Sequence, residues 1–125
     1  MIDAIEKNKN ELSMVWFSMV NYLTSTKFDI QKIAEVCHKY DIKCCVDLAH
    51  AAGSIPVDLH KWNIDGAVWC SYKYLNSGPG GIGGIFMHKN HSHLLPGLRG
   101  WHGNNRNSQF LMKHTYEPEV DARRF

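Results

Sequence analysis

The protein has 125 residues, about the length of a single domain. Hydrophobic residues make up 44% of the chain and charged residues 21%, a balance that indicates a globular protein and excludes a disordered one. The net charge of +2, without any basic cluster, argues against a nucleic-acid partner bound by charge. No apolar run reaches the roughly 18 residues of a transmembrane segment, and the polar N-terminus lacks the apolar core of a signal peptide, so no membrane partner is expected.

The first part of the chain predicts a helix, a strand and a second helix. Residues 2–8 have the spacing of an amphipathic helix end, and the apolar run Leu12–Val20 is typical of a strand buried on both faces. After a polar loop over Asn21–Lys27, Asp29 is predicted to cap a helix over Ile30–Tyr40 with one apolar face.

Three further strands are predicted at Cys44–Asp47, Ala67–Cys70 and Ile85–Met87, and His50–Ile64 is long enough for a short crossover element. Apolar strands separated by crossover connections indicate an α/β fold with a mostly parallel sheet, crossover helices and right-handed connections. From Leu94 onward the pattern weakens, and glycine, proline and asparagine predict loops.

The four cysteines are Cys37, Cys44, Cys45 and Cys70. They form no C-x-x-C pair, and the spacings typical of zinc sites and disulfide frameworks are absent. Small buried thiols in a reducing compartment are the simplest interpretation, which predicts a cytoplasmic protein.

Several polar residues fall at or just past the ends of the predicted strands. Ser18 ends the first, Asp47 ends the second, and Tyr72 and Lys73 follow the third. Because ligands of parallel α/β sheets bind beyond the carboxyl ends of the strands, these side chains are predicted to converge on one site.

Lys73 and Asp47 suggest the chemistry of that site. Between Tyr72 and Tyr74, a desolvated Lys73 would favour the neutral amine, which can form a Schiff base with an aldehyde cofactor; alternatively, Lys73 extends into solvent. Asp47 could pair with the protonated ring nitrogen of pyridoxal phosphate (PLP), or it could cap the next short helix. This pair is the minimum for a PLP site and is not specific by itself.

Two other motifs are interpreted as loops. The run Gly78–Gly84 lacks the Lys-Ser/Thr of a P-loop and precedes a strand, so it predicts a tight turn region. The histidines His88, His91 and His93 have no neighbouring cysteine or glutamate, which favours a solvated loop, and no metal site is predicted.

The segments VDLAHAAG at 46–53, WCSYKYLNSGPGGIGGIFMH at 69–88 and GWHG at 100–103 resemble the kynureninase family. Kynureninases are fold-type-I, PLP-dependent hydrolases of the class V aminotransferase group. The resemblance implies that residues 1–125 are the central and C-terminal part of a PLP-transferase (aspartate aminotransferase-like) large domain. The N-terminal part of that domain and the small C-terminal domain would then lie outside the chain.

The resemblance assigns catalytic roles to Lys73, Tyr72 and His50, and cofactor contacts to Ser18, Asp47, His50, Tyr72, Lys73 and Trp101. It implies that Lys73 binds the PLP aldehyde, that Asp47 pairs with the ring nitrogen, and that His50 lies near the ring O3′.

The remaining roles concern the phosphate and the second subunit. Ser18 and Tyr72 would contact the phosphate, and Trp101 could come from the partner subunit of a homodimer. The chain departs from the family pattern at two positions, with Ser25 where the family usually shows glycine and Asn104 where histidine is common.

The implied reaction is the hydrolysis of L-kynurenine or 3-hydroxykynurenine to anthranilate or 3-hydroxyanthranilate and L-alanine, in tryptophan catabolism and de novo NAD biosynthesis. The chain alone is expected to be inactive. Two alternatives stay open, namely a non-catalytic remnant that only binds a partner and another class V enzyme such as a cysteine desulfurase. A desulfurase would require a catalytic cysteine on a mobile loop.

Overall fold

The computed structural model describes all 125 residues, which form two compact units, Met1–His88 and Lys89–Phe125. The first unit contains all the strands and both α-helices. None of the helices is long and apolar enough to cross a membrane.

The first unit is built on a four-stranded sheet. Its strands are β1 (Met14–Ser18), β2 (Lys43–Asp47), β3 (Gly66–Trp69) and β4 (Gly84–Met87), and they lie side by side in chain order. Strands β1, β2 and β3 are parallel, whereas β4 runs antiparallel to β3. The antiparallel pairing arises because β3 and β4 are joined by a loop that turns straight back, without a crossover. The predicted α/β fold with a mostly parallel sheet is confirmed.

The crossover from β1 to β2 is helical, as predicted. The unit begins with α1 (Ile2–Lys7), and α2 (Ile30–Lys39) leads into β2. The carboxylate of Asp29 caps α2 by accepting the N–H of Lys32 at 3.1 Å, and Tyr40 is the C-terminal cap of the helix. Four residues form the buried face of α2: Ile30, Ile33, Ala34 and Cys37.

The connection from β2 to β3, residues 48–65, consists of turns rather than a helix. Ala51 and Ala52 both donate their backbone N–H groups to the Leu48 carbonyl, which closes the first turn directly after β2. Pro56 lies in the middle of this segment and cannot donate the backbone hydrogen bond that a continuing helix requires.

The prediction that β1 is buried on both faces is wrong. Side chains alternate along a strand, and the helices of this chain cover only one face of the sheet. Val15 and Phe17 pack against the core on the covered face, whereas Met14 and Trp16 on the other face are 48% and 55% exposed. An apolar run in the sequence does not show whether another segment of the same chain covers the second face of the sheet.

The second unit contains only short 3-10 turns: Lys89–His91, Trp101–Gly103, Gln109–Leu111 and Asp121–Arg124. A single antiparallel bridge between Asn104 and Pro118 ties its middle to its C-terminal part. Glu119 reinforces this connection by accepting the backbone N–H of Arg106 at 2.9 Å, and this hydrogen bond lowers the pKa of the Glu119 carboxyl. The loops predicted for this part of the sequence are therefore organised by local hydrogen bonds.

Candidate active site

The register of the sheet brings two of the predicted site residues side by side. Ser18 pairs with Asp47 across β1 and β2, and Asp47 pairs with Val68 across β2 and β3. Ser18 and Asp47 are both half-buried at the carboxyl ends of their strands. This is the edge at which ligands of parallel sheets bind.

Asp47 has one oxygen engaged and one oxygen available. Its Oδ1 accepts the backbone N–H of Ala49 at 2.7 Å, so this carboxylate does organise the turn after β2. The second oxygen accepts no hydrogen bond from the chain. Because an ionised carboxylate has room for about four hydrogen bonds, Asp47 can hold the turn and still face a cationic group.

Lys73 meets His50 directly. The Lys73 Nζ lies 2.9 Å from the His50 Nε2, although the two residues stand on different loops, after β3 and after β2. Both side chains are half-buried. A charged lysine has only donors, so the Nε2 that faces it accepts a hydrogen bond and carries no proton of its own.

The tyrosines that flank Lys73 bury it less than the sequence predicted. Tyr72 and Tyr74 are 53% and 47% exposed, and Lys73 itself is half-buried. The Lys73 Nζ lies 5.8 Å from the centre of the Tyr72 ring, within the range of a cation–π contact. In this chain Lys73 therefore lies at an open edge of the sheet and is not enclosed.

Two tyrosines that sequence reasoning did not assign to the site surround His50. The ring of Tyr74 meets His50 edge-on with 6.0 Å between centroids, and the ring of Tyr22 lies roughly parallel to it at 6.5 Å. Tyr74 could have been suspected because it follows Lys73. Tyr22 lies in the loop after β1, where no spacing or periodicity connects it to His50.

The loop that carries Tyr22 is closed at its base by a bridge between Val20 and Lys27. The side chain of Asn21 accepts the N–H of Leu23 at 2.9 Å and so fixes the turn. Ser25 has φ +56°, a left-handed conformation that costs a non-glycine residue energy. This explains in physical terms why glycine suits the position at which this chain departs from the kynureninase pattern.

Trp101, also predicted for the site, lies in the second unit, at the start of the turn Trp101–Gly103. It is 45% exposed, and its indole meets Phe110 edge-on at 5.8 Å. Asn104, the second departure from the family pattern, donates its side-chain amide to the Trp101 carbonyl at 3.2 Å. The role of Trp101 stays a prediction.

Three of the four cysteines are buried. Cys37 and Cys44 are fully buried and Cys45 is 6% exposed, while Cys70 is half-buried, and all four are free. Burial raises the pKa of the Cys45 thiol to about 11 and raises those of Cys37 and Cys44 as well. Thiols held protonated in this way are poor nucleophiles. No group of three or more histidine, cysteine, aspartate or glutamate side chains is arranged to hold a metal ion.

An α/β sheet that presents an amine, a carboxylate and an imidazole at neighbouring strand ends has the groups that a PLP enzyme requires. The comparison with family models agrees with this class. The chain belongs to the class-V aminotransferase family, whose model matches residues 2–118, and this family depends on PLP.

Curated relatives give the comparison more detail. The chain is 47% identical to a kynureninase from Saccharomyces cerevisiae and 47% identical to one from Flavobacterium psychrophilum, in each case over 94% of this chain and 28% of the relative. A kynureninase from Nematostella vectensis is also 47% identical, over 94% of this chain and 26% of its own length. The chain therefore spans a little over a quarter of the length of the curated relatives it matches.

Solved structures support the fold. A cysteine desulfurase from Escherichia coli matches 97% of this chain and 29% of its own, with a TM-score of 0.74 and 17% identity. The apo structure of a cysteine desulfurase from Thermococcus onnurineus matches 99% of this chain and 30% of its own, with a TM-score of 0.71 and 17% identity. At these identities the likeness shows a shared fold and nothing about the reaction.

Proposed function

We propose that the chain is the lysine-bearing part of a PLP-dependent hydrolase that cleaves L-kynurenine or 3-hydroxykynurenine into L-alanine and anthranilate or 3-hydroxyanthranilate. The observation that carries the proposal is the 2.9 Å contact between Lys73 and His50 at the carboxyl ends of the parallel strands. The identity of 47% to kynureninases favours this substrate class over others of the family.

The groups available at the site fit PLP. Lys73 supplies an amine for the aldehyde, and Asp47 has a carboxylate oxygen that the chain does not use, which suits a protonated ring nitrogen. The hydroxyls of Ser18 and Tyr72 make no hydrogen bond within the chain and are proposed to hold the phosphate. When bound, PLP would supply an electron sink for negative charge at the substrate α-carbon.

The chain's own residues would manage protons. The Nε2 of His50 would hold the Lys73 amine in place and accept the proton that the amine releases when it attacks an aldehyde. The free amine is the form of Lys73 that can react in this way or take up a proton as a base. Hydrolysis also requires a group that takes a proton from the attacking water. The exposed Tyr72 hydroxyl is the proposed group for this step. Asp47 would provide a counter-charge to the ring nitrogen and would transfer no proton.

The wider setting is also part of the proposal. The reaction would serve tryptophan catabolism and de novo NAD biosynthesis in the cytoplasm, consistent with four free cysteines. Residues 1–125 would be a central and C-terminal part of the large domain, and Trp101 would reach the site of a partner subunit in a homodimer. A desulfurase is not favoured, because the thiols of Cys37, Cys44 and Cys45 are buried and held protonated.

The test is chemical labelling of the chain. The 125-residue protein is mixed with PLP, reduced with borohydride, digested and mapped by mass spectrometry. We expect the pyridoxyl group on Lys73 in preference to Lys61 and Lys89, which are exposed and serve as internal controls. A pyridoxyl group spread evenly over surface lysines would reject the assignment and would favour a non-catalytic remnant of the fold.

A further inference from the structure

The loop between β3 and β4, residues 70–83, carries Lys73 and is closed by the side chains of two serines. The Ser71 hydroxyl contacts the backbone carbonyl of Ile82, and it lies 2.7 Å from the hydroxyl of Ser77. The backbone repeats this closure, because the N–H of Ser77 donates to the carbonyl of Ser71 at 3.1 Å. We call these contacts of Ser71 the serine clasp.

The direction of each hydrogen bond in the serine clasp can be assigned. A carbonyl oxygen can only accept, so the single proton of the Ser71 hydroxyl points to Ile82. The Ser71 oxygen must then accept the proton of Ser77. The two bonds run in one direction, from Ser77 through Ser71 to Ile82, and join both ends of the loop.

Gly81 makes room for the serine clasp. A Cβ at this position would overlap the Ser77 hydroxyl and would lie 2.8 Å from the Ser71 hydroxyl. Any side chain at Gly81 would therefore separate the two serines. The glycine at this position has a steric reason, in addition to the tight turn region predicted for the run Gly78–Gly84.

Burial does little to hold the part of the loop that contains Lys73. The neighbours Tyr72, Tyr74 and Leu75 are 53%, 47% and 47% exposed. Inside the loop, one backbone bond connects the Asn76 N–H to the Lys73 carbonyl at 3.2 Å. Besides the edge contact of Tyr74 with His50, the position of Lys73 relative to His50 then depends on how firmly the ends of the Lys73 loop are joined.

We infer that Ser71 is a positioning residue, which acts with Ser77 and Gly81 to hold the Lys73 amine against His50 for reaction with an aldehyde cofactor. The inference rests on the proposed function to the extent that Lys73 is the reacting amine. It goes further by assigning a role to a hydroxyl to which the proposed function gives no contact with the cofactor or the substrate.

The first experiment measures hydrogen exchange of peptides from residues 72–82 in the 125-residue chain. Ser71→Ala and Gly81→Ala should each raise exchange of these amides about fivefold, the effect of losing one hydrogen bond. Ser71→Thr keeps the hydroxyl and should exchange like the unaltered chain. Ser13→Ala removes an exposed hydroxyl outside the loop and is the matched control. Unchanged exchange in β2 shows that each variant is folded.

The second experiment measures the rate at which PLP and borohydride label Lys73. Ser71→Ala and Gly81→Ala should label about fivefold more slowly, and Ser71→Thr and Ser13→Ala at the unaltered rate. Labelling of Ser71→Ala at the unaltered rate, or unchanged exchange of its loop, would overturn the inference and leave the proposed function intact. Absence of Lys73 labelling in the unaltered chain would overturn the proposed function, and the positioning role with it.

Discussion

Lys73 and His50 are 23 residues apart in the sequence, yet 2.9 Å separates the Lys73 Nζ from the His50 Nε2. The contact follows from the parallel pairing of β2 and β3, because both residues stand on loops that leave the same edge of the sheet. It excludes the state in which both the amine and the Nε2 are fully protonated, since two donors would then face each other. The contact therefore requires that one of the two nitrogens donates a hydrogen bond and the other accepts it.

The first prediction concerns the acceptor in this contact. His50→Phe keeps an aromatic ring beside Tyr74 but removes Nε2, the group that orients the Lys73 amine and takes up its proton. Labelling of Lys73 by PLP and borohydride near neutral pH should therefore slow about tenfold, the order expected for one lost hydrogen bond. His50→Gln retains an acceptor and should slow labelling less. Labelling of Lys61 in the same samples is the internal control. Equal rates for His50→Phe and the unaltered chain would contradict a role for Nε2.

The second prediction separates the two functions of Asp47. Asp47→Asn keeps an oxygen for the Ala49 N–H but loses the negative charge, whereas Asp47→Ala loses both. In a full-length enzyme carrying these residues, Asp47→Asn should still be labelled at Lys73 but should lose most of its turnover, because the ring nitrogen loses its counter-charge. Asp47→Ala should in addition lower thermal stability. Near-normal turnover of Asp47→Asn would reject the electrostatic role.

The third prediction tests the strained loop after β1. Ser25 has φ +56°, so Ser25→Gly should relieve left-handed strain of about 1–2 kcal/mol in the folded state. Glycine also gives the unfolded chain more conformational freedom, which should offset about half of this gain in stability. The expected net gain in the free energy of unfolding is about 0.5 kcal/mol, measured by urea denaturation. Ser13→Gly, at an exposed position outside the positive-φ residues, is the matched control and should destabilise. Destabilisation by Ser25→Gly would show that the hydroxyl has a role not visible in its contacts.

Local signals in the sequence were sufficient to predict the elements that depend on residues close to one another along the chain. The cap at Asp29 and the apolar spacing of α2 placed that helix within one residue of its observed end, because capping and amphipathic burial are local properties. The strand ends also placed Ser18 and Asp47 correctly at one edge, since the predicted helical crossover between two consecutive strands implies that they are parallel.

Features that depend on distant contacts could not be predicted in this way. The exposed Trp16, the antiparallel β4, and the approach of Tyr22 to His50 each depend on which surface another segment covers or where a loop turns. Sequence spacing contains no direct measure of these relationships. The contact between Ser71 and Ser77 belongs to the same group, because two serines in a glycine-rich loop give no signal that their hydroxyls meet.

The fourth prediction is a pH dependence that arises from the buried thiols. Burial raises the pKa of Cys45 to about 11 in the folded chain, whereas in the unfolded chain it ionises near its ordinary value of about 9. The unfolded state therefore binds fewer protons in this range, and the free energy of unfolding should fall as pH rises from about 9 to about 11. Urea denaturation at a series of pH values measures the slope. Cys45→Ala should reduce this slope in part, because the buried thiols of Cys37 and Cys44, whose pKa values are also raised, contribute to it.

The fifth prediction is that the 125-residue chain, incubated with PLP and L-kynurenine, releases little or no anthranilate, as followed by fluorescence. The chain spans 28% of a related kynureninase, and its Lys73 lies at an open edge between half-exposed tyrosines. Holding a substrate in its reactive geometry can be worth roughly 7–11 kcal/mol, and an open edge offers few groups to do so. Labelling of Lys73 should nevertheless proceed, because it requires only the amine and its acceptor. Turnover comparable with a full-length kynureninase would contradict this expectation and would show that the strand-end residues suffice for catalysis.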